Sequence, residues 1–235
     1  MDRNKIYEKR ARLYPVIISM ILPLILLIFI TSDLIEKVSQ FDKLWNILIS
    51  IIPATVLTGA ISYGVKSLSR STSKVLFQFP LFKEDETHMP TTEFLLRKNN
   101  SLSMQNKKLI REKIKGTLNM DLPSEEEEKS NEQETRLIIA DAVKRIREKT
   151  RDNLILFNYN CDYGFIRNYM GANVWALIIT ISIWILNLSH HFISNKIFII
   201  SVVYILLTYP ISIFILKHKG REYARQLFTA FLEIK

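Results

Sequence analysis

The chain holds a single cysteine, Cys161, and only six glycines in 235 residues. One cysteine excludes an internal disulfide, and with four scattered histidines it leaves no Cys/His cluster for a metal. His190 and His191 are adjacent, so on a helix they point about 100° apart and cannot chelate one ion together. There is no Walker loop, no GxGxxG, no HExxH and no nucleophile beside a base, so no catalytic residue, no enzyme activity, no metal and no cofactor are expected. Charge is also missing in blocks. Residues 13–32, 44–65, 168–195 and 197–216 contain no Asp, Glu, Lys or Arg, and each window can form a helix across roughly 30 Å of hydrocarbon. The lack of an Asp, Glu, Lys, Arg or His at mid-membrane depth in any window argues against proton-coupled pumps, voltage sensors and most secondary transporters, which need a charge at depth. A passive pore lined by hydroxyls, or a scaffold, needs none.

What is present is 48% hydrophobic residues and an uneven distribution of 32 Lys and Arg. The expected fold is an all-α membrane protein: four transmembrane helices, with a mainly helical cytoplasmic domain inserted between spans two and three. The short N-terminal tail carries five positive residues, the segment 66–167 carries 19, the stretch after 216 carries five, and the two remaining loops share three. The positive-inside rule then puts both termini and the large segment in the cytoplasm, at a bacterial inner membrane. The expected boundaries are 1–13 for a basic interfacial N-terminus and 14–76 for spans one and two. They continue as 77–167 for the cytoplasmic domain, 168–216 for spans three and four, and 217–235 for a C-terminal tail. The first window is too long, and contains Pro23, to read as a cleavable signal peptide.

Span two is the least lipid-like. Ser50, Ala54, Thr58 and Ser62 recur every four residues, and Lys66, Arg70 and Lys74 continue the spacing outward. Small residues let helices approach closely, and hydroxyls at that spacing can line a wet path. Ala54, Thr58, Ser62, Lys66 and Arg70 are therefore the candidate pore-lining residues, with headgroup anchoring as the alternative for the cations. Beyond them, Pro80 and Pro90 are expected to break the helix, and Phe77, Phe79, Leu81 and Phe82 to be buried in the soluble domain or to lie at the lipid surface. An amphipathic helix is expected over 104–120 with Leu109, Ile110, Ile114 and Leu118 on its apolar side. Ser124 with Glu127 three residues on signals a second helix, running to about Thr150 with Ile139, Val143 and Ile146 buried.

The stretch 151–171, RDNLILFNYNCDYGFIRNYMG, joins this charged segment to the third window. Rings beside amides and guanidinium groups suit a planar polar ligand such as a nucleobase; the alternative is an interfacial aromatic belt. The candidate ligand-binding residues are Arg145, Arg147, Arg151 and Arg167 for phosphates, Tyr159 and Tyr163 for stacking, and Asn160 and Asn168 for base edges.

The layout resembles the four-span membrane effectors encoded beside nucleotidyltransferases in bacterial anti-phage systems. The residues that carry the resemblance are Phe79-Pro80, Pro90-Thr91-Thr92-Glu93 with Leu95-Leu96, and the acidic run Glu125 to Glu128. With them go Asn160, Tyr163-Gly164-Phe165, Arg167-Asn168 and Gly171. Within that group the chain is most similar to the channel effector of Hailong systems. That resemblance implies a homo-oligomer, with a tetramer as the expected count, gated by single-stranded DNA or a nucleotide signal and working with a partner nucleotidyltransferase. Opening would depolarise the membrane and arrest growth. The SMODS-associated four-helix effectors share the plan with the opposite ligand logic, and membrane components of Kiwa-type systems are a further possibility. Two other classes compete. A non-conducting scaffold would dock a soluble partner through residues 77–82 and the two amphipathic helices. A small-solute transporter fits less well, because the spans lack a midplane site.

Overall fold

The computed structural model describes residues 2–35, 54–83, 86–191 and 193–234. Among them there are helices and no strands. A helix Arg3–Tyr7 (α1) passes through a wider π-helical turn, Glu8–Leu13, into α2, Tyr14–Ile35. Next comes α3, Ala54–Ser73, continued by a π-helical turn Lys74–Gln78 and a short α4, Phe79–Phe82. The chain then forms α5 (Pro90–Glu93), α6 (Met104–Leu118), α7 (Glu125–Ser130) and α8 (Glu132–Lys149). It closes with two long helices, α9 (Leu154–His190) and α10 (Asn195–Glu233).

Among the described residues, three stretches are long and apolar enough to cross a membrane: Arg3–Ile30, Leu154–Ser189 and Asn195–Glu233. The described chain is thus all-helical with three candidate membrane-spanning helices, which suits a multi-pass membrane protein. The window expected for span two lies partly on residues 44–53, outside the described ones.

The described chain divides into two units, residues 1–77 with 165–213, and residues 78–164 with 214–235. In the first, the usual distribution of polarity is inverted. Ile28, Phe29, Ile185, Leu186, Ile200, Leu207 and Ile211 are exposed, whereas Ser19, Ser69, Ser73, Asn168, Asn173, Thr180 and Asn187 are buried. Water would penalise that surface, and hydrocarbon does not, while polar side chains find partners between helices. Trp175 donates through Nε1 to Thr72 Oγ1 at 3.0 Å, and Asn173 donates to Thr208 Oγ1 at 2.8 Å. Ser73 Oγ donates to the Arg167 carbonyl. Between these contacts, a Cβ placed on Gly171 would lie 2.0 Å from the Ser69 carbonyl oxygen, so only glycine permits this approach of α3 to α9. The α9–α10 turn is closed by Asn187, which accepts from Ile193 N at 2.8 Å and donates to Ile193 O at 2.7 Å. His191 there takes a left-handed φ of 54°.

The second unit has a conventional apolar core. Phe94, Leu95, Leu96, Ile110, Ile114, Ile139, Val143 and Ile146 pack with Leu227, Phe228 and Phe231 of α10. Residues 217–235, expected as a tail, therefore supply part of this core. Ser124 and Glu127 form the expected reciprocal capping box. The helix they start is interrupted at Asn131 (φ −145°, ψ 83°), whose side chain accepts from Glu134 N and caps α8 anew. Two other expectations are corrected. Pro80 does not break the helix but sits in the first turn of α4, where its missing N–H costs nothing, and the chain turns at Lys83 with φ 48°. Leu109 is 46% exposed, one residue off the Ile110–Ile114 stripe, because a single step on a helix rotates about 100°. Phe79 is exposed and Phe82 is buried.

Candidate functional site

Two groups of residues carry the chemistry, one in each unit. In the first unit, the exposed face of α3 differs from the mainly aliphatic exposed faces of α2, α9 and α10. Gly59, Tyr63, Ser67, Arg70 and Ser71 are exposed there, at helical spacing. Leu68 is the exposed aliphatic beside them. The opposite side, Ser69, Thr72 and Ser73, is spent on α9. Of the expected pore-lining set, Arg70 lies on the exposed polar face, and Ser62 and Lys66 are half-buried. Lys66 Nζ sits 3.7 Å from Glu8 Oε2, so it leans toward the N-terminal segment. Ala54 and Thr58 fall within α3, but their side chains lie outside the described ones. Tyr63, 73% exposed, and Ser67 were missed because the four-residue count was started one position away.

In the second unit the expected phosphate ligands do not converge. Arg145 and Arg147 are two steps apart on α8, about 200° round the helix. Arg145 is exposed, while Arg147 is half-buried, donating from Nη1 to Glu86 Oε1 at 3.0 Å and from Nη2 to Thr91 Oγ1 at 3.2 Å. Arg151 is exposed in the turn before α9, and Tyr159 and Asn160 are half-buried on its first turns. Tyr163 is buried, with its ring 3.5 Å from the position a Cβ would take at Gly220 on α10.

The last two expected residues belong to the first unit and are interior. Arg167 is buried and its carbonyl accepts from Ser73. Asn168 is 1% exposed and donates through Nδ2 to the Ala11 carbonyl at 2.6 Å, a bond across 157 residues of sequence. Its Nδ2 is therefore spent on the fold, while its Oδ1 is buried without a hydrogen-bond partner among the described residues. Phe165 and Tyr169 stack on each other, ring centroids 6.3 Å apart. The aromatic-amide stretch is thus partly packed: Arg151, Asp152, Leu154, Ile155 and Asn158 are exposed, and Tyr159 and Asn160 are half-buried.

Several cations of the second unit serve structure. Lys107 is 4% exposed and donates to the carbonyls of Leu96 at 2.6 Å, Arg97 at 3.1 Å and Asn99; burial pulls its ammonium below the usual lysine range. Arg136 is buried between Glu93 and Glu132 and also donates to Thr87 O at 2.9 Å. The Glu132 carboxyl is held low, first by the hydrogen bond from Lys98 and then by that from Arg136. By contrast Lys217, Arg221 and Arg225 are exposed at successive four-residue steps on α10, about 6 Å apart along the axis. Their spacing is plain in the sequence once α10 is known to continue past residue 216. No metal-holding group of His, Cys, Asp and Glu occurs among the described residues. No protein-family model matches this chain, and neither does any curated protein or any solved structure.

Proposed function

We propose that the chain is the subunit of a homo-oligomeric ion channel in a bacterial plasma membrane, gated by a nucleotide or single-stranded oligonucleotide bound to its helical unit. The observation that carries this reading is the polar exposed face of α3, from Gly59 through Tyr63 and Ser67 to Arg70, in a unit where α2, α9 and α10 expose mainly aliphatic side chains. A face of that kind is stable when it meets water, and an oligomer supplies water by closing the α3 helices around an axis. Residues 44–53 and the start of α3 form the fourth span in this reading. The termini and residues 77–167 lie in the cytoplasm, in keeping with the positive residues of the short tails.

The ligand side rests on Arg145 and Arg151 with Tyr159 and Asn160, which combine cations with a stacking ring and an amide. The exposed Lys217, Arg221 and Arg225 extend the phosphate-attracting surface of the same unit. Because α9 and α10 each contribute to both units, a change in the ligand-binding half reaches the membrane half through unbroken helices. The biological role that fits is an anti-phage effector, acting with a nucleotidyltransferase, whose opening depolarises the cell. This part rests on the resemblance of Asn160, Tyr163-Gly164-Phe165 and Arg167-Asn168. A scaffold that docks a soluble protein is the second reading, favoured by the exposed Val75, Leu76 and Phe79.

The test is binding of a labelled single-stranded oligonucleotide to the purified full chain across a salt series. The expected result is an affinity that falls steeply with salt, and falls further in Arg145→Gln and Arg151→Gln. Absence of binding, or binding indifferent to salt, with a soluble protein co-purifying in stoichiometric amount, supports the scaffold instead.

A further inference from the structure

We propose that the first unit holds a single anionic phospholipid, its headgroup phosphate in a cleft between the N-terminal segment and α3 and its acyl chains along α2. The cleft has a volume of about 400 Å3 and is lined by Asn4, Lys5, Glu8, Lys9, Leu13 and Lys66. Three of these are lysines and one is a glutamate, so the lining is cationic. Glu8 does not cancel it freely, because its carboxylate is shared between Arg12 and Lys66. That sharing ties the π-helical turn to α3 and so holds the two walls of the cleft together. Lys5 and Lys9 are exposed and make no ion pair among the described residues. Two unpaired ammonium groups one turn apart, facing a third on the opposite wall, attract a phosphate at the edge of the membrane.

The second observation separates a lipid from a bare phosphate. Below the cleft, the helix face that begins with Lys5 and Lys9 changes character at Leu13 and continues as Ile17, Ile21, Leu24 and Ile28. All four of these are exposed, at 49%, 49%, 53% and 65%. Cationic at one end and aliphatic along the rest, this stripe has the polarity of a phospholipid read from headgroup to tail. A free anion would use the lysines and leave the aliphatic stripe without purpose; a neutral lipid would do the reverse. The long methylene stems of Lys5, Lys9 and Lys66 suit the glycerol region between the two. The inference rests on the membrane placement of α2 and is independent of conduction or of any oligonucleotide.

The test is native mass spectrometry of the purified full chain equilibrated with equal amounts of phosphatidylglycerol and phosphatidylcholine. The expected result is one retained phosphatidylglycerol per chain. In the variant combining Lys5→Gln, Lys9→Gln and Lys66→Gln, retention should weaken by about a hundredfold, each lysine near a charged headgroup being worth roughly a factor of five. The double variant Lys5→Gln with Lys9→Gln touches only exposed, unpaired groups and leaves the Glu8 contacts intact, so it reads the site even if the triple variant misfolds. Lys144→Gln with Lys149→Gln, on exposed positions of α8, should leave retention unchanged. Equal retention of the two lipids, or retention indifferent to the cleft lysines, overturns the proposal. Displacement of the lipid by excess inorganic phosphate overturns the lipid and leaves an anion site. Loss of retention in Leu13→Asn with Ile17→Ser, at unchanged charge, supports the acyl contact, and unchanged retention there contradicts it.

Discussion

At the scale of single residues, two glycines on the last two helices make opposite demands. Gly171 has the Ser69 carbonyl 2.0 Å and Ser73 Cβ 2.8 Å from where its own Cβ would be. Gly220 has only ordinary contacts there, with Pro90 and Tyr163 at 3.5 Å and Phe82 at 3.7 Å. Gly171→Ala is therefore expected to push α3 away from α9 and destabilise the protein by about 1–3 kcal/mol or more. Gly220→Ala should be neutral, or stabilising by up to about 1 kcal/mol through helix propensity. Thermal unfolding of both variants in detergent checks this, and equal effects would contradict the close crossing. Neither outcome could be read from the sequence, since a glycine in an apolar helix looks the same whether its neighbour is lipid or a carbonyl. The same limit hid Lys107: its charge argues for solvent although its spacing puts it beside Ile110 and Ile114, and the fold buries it against three carbonyls. Asn168 was hidden likewise, its partner lying at Ala11.

At the scale of elements, what was legible in the sequence is local. The capping box at Ser124 and the buried stripe Ile139, Val143 and Ile146 depend on residues within a turn or two of each other, and all are present. The charge-free windows depend only on composition, and helices occupy the described parts of each apart from residues 191, 193 and 194. The break at Asn131 was legible but overlooked: an asparagine followed three residues later by a glutamate is the same kind of start signal as Ser124 with Glu127. Asn131→Ala is expected to remove the bond to Glu134 N and cost about 1 kcal/mol. Chemical denaturation of the variant measures it, and a gain in stability would mean that α7 and α8 prefer to fuse. Pro80 teaches the complementary lesson. A proline is read from sequence as an end, yet directly after a π-helical turn it begins a new helix, because the first helical positions need no N–H.

At the scale of the whole molecule, the distribution of polarity is the main fact. The first unit exposes isoleucine, leucine and phenylalanine and buries serine, threonine and asparagine, which is the pattern of a protein solvated by hydrocarbon. The second unit follows the pattern of a protein solvated by water, with Lys98, Lys108, Lys115 and Arg145 outside and Ile110, Ile139 and Phe231 inside. The sequence showed both halves through composition. It did not show that α10 supplies Leu227, Phe228 and Phe231 to the second core, because that packing joins residues more than a hundred positions apart. Nor could it show which of the two polar sides of α3 is the exposed one, which decides which hydroxyls serve a helix neighbour and which are left for a water path. Reconstituting the purified protein in liposomes and recording ion flux across them, with and without a single-stranded oligonucleotide, tests the channel reading most directly. The account predicts a flux that the oligonucleotide changes and that Ser67→Leu with Arg70→Leu, on the exposed face of α3, reduces; liposomes that stay tight under every ligand condition would contradict it.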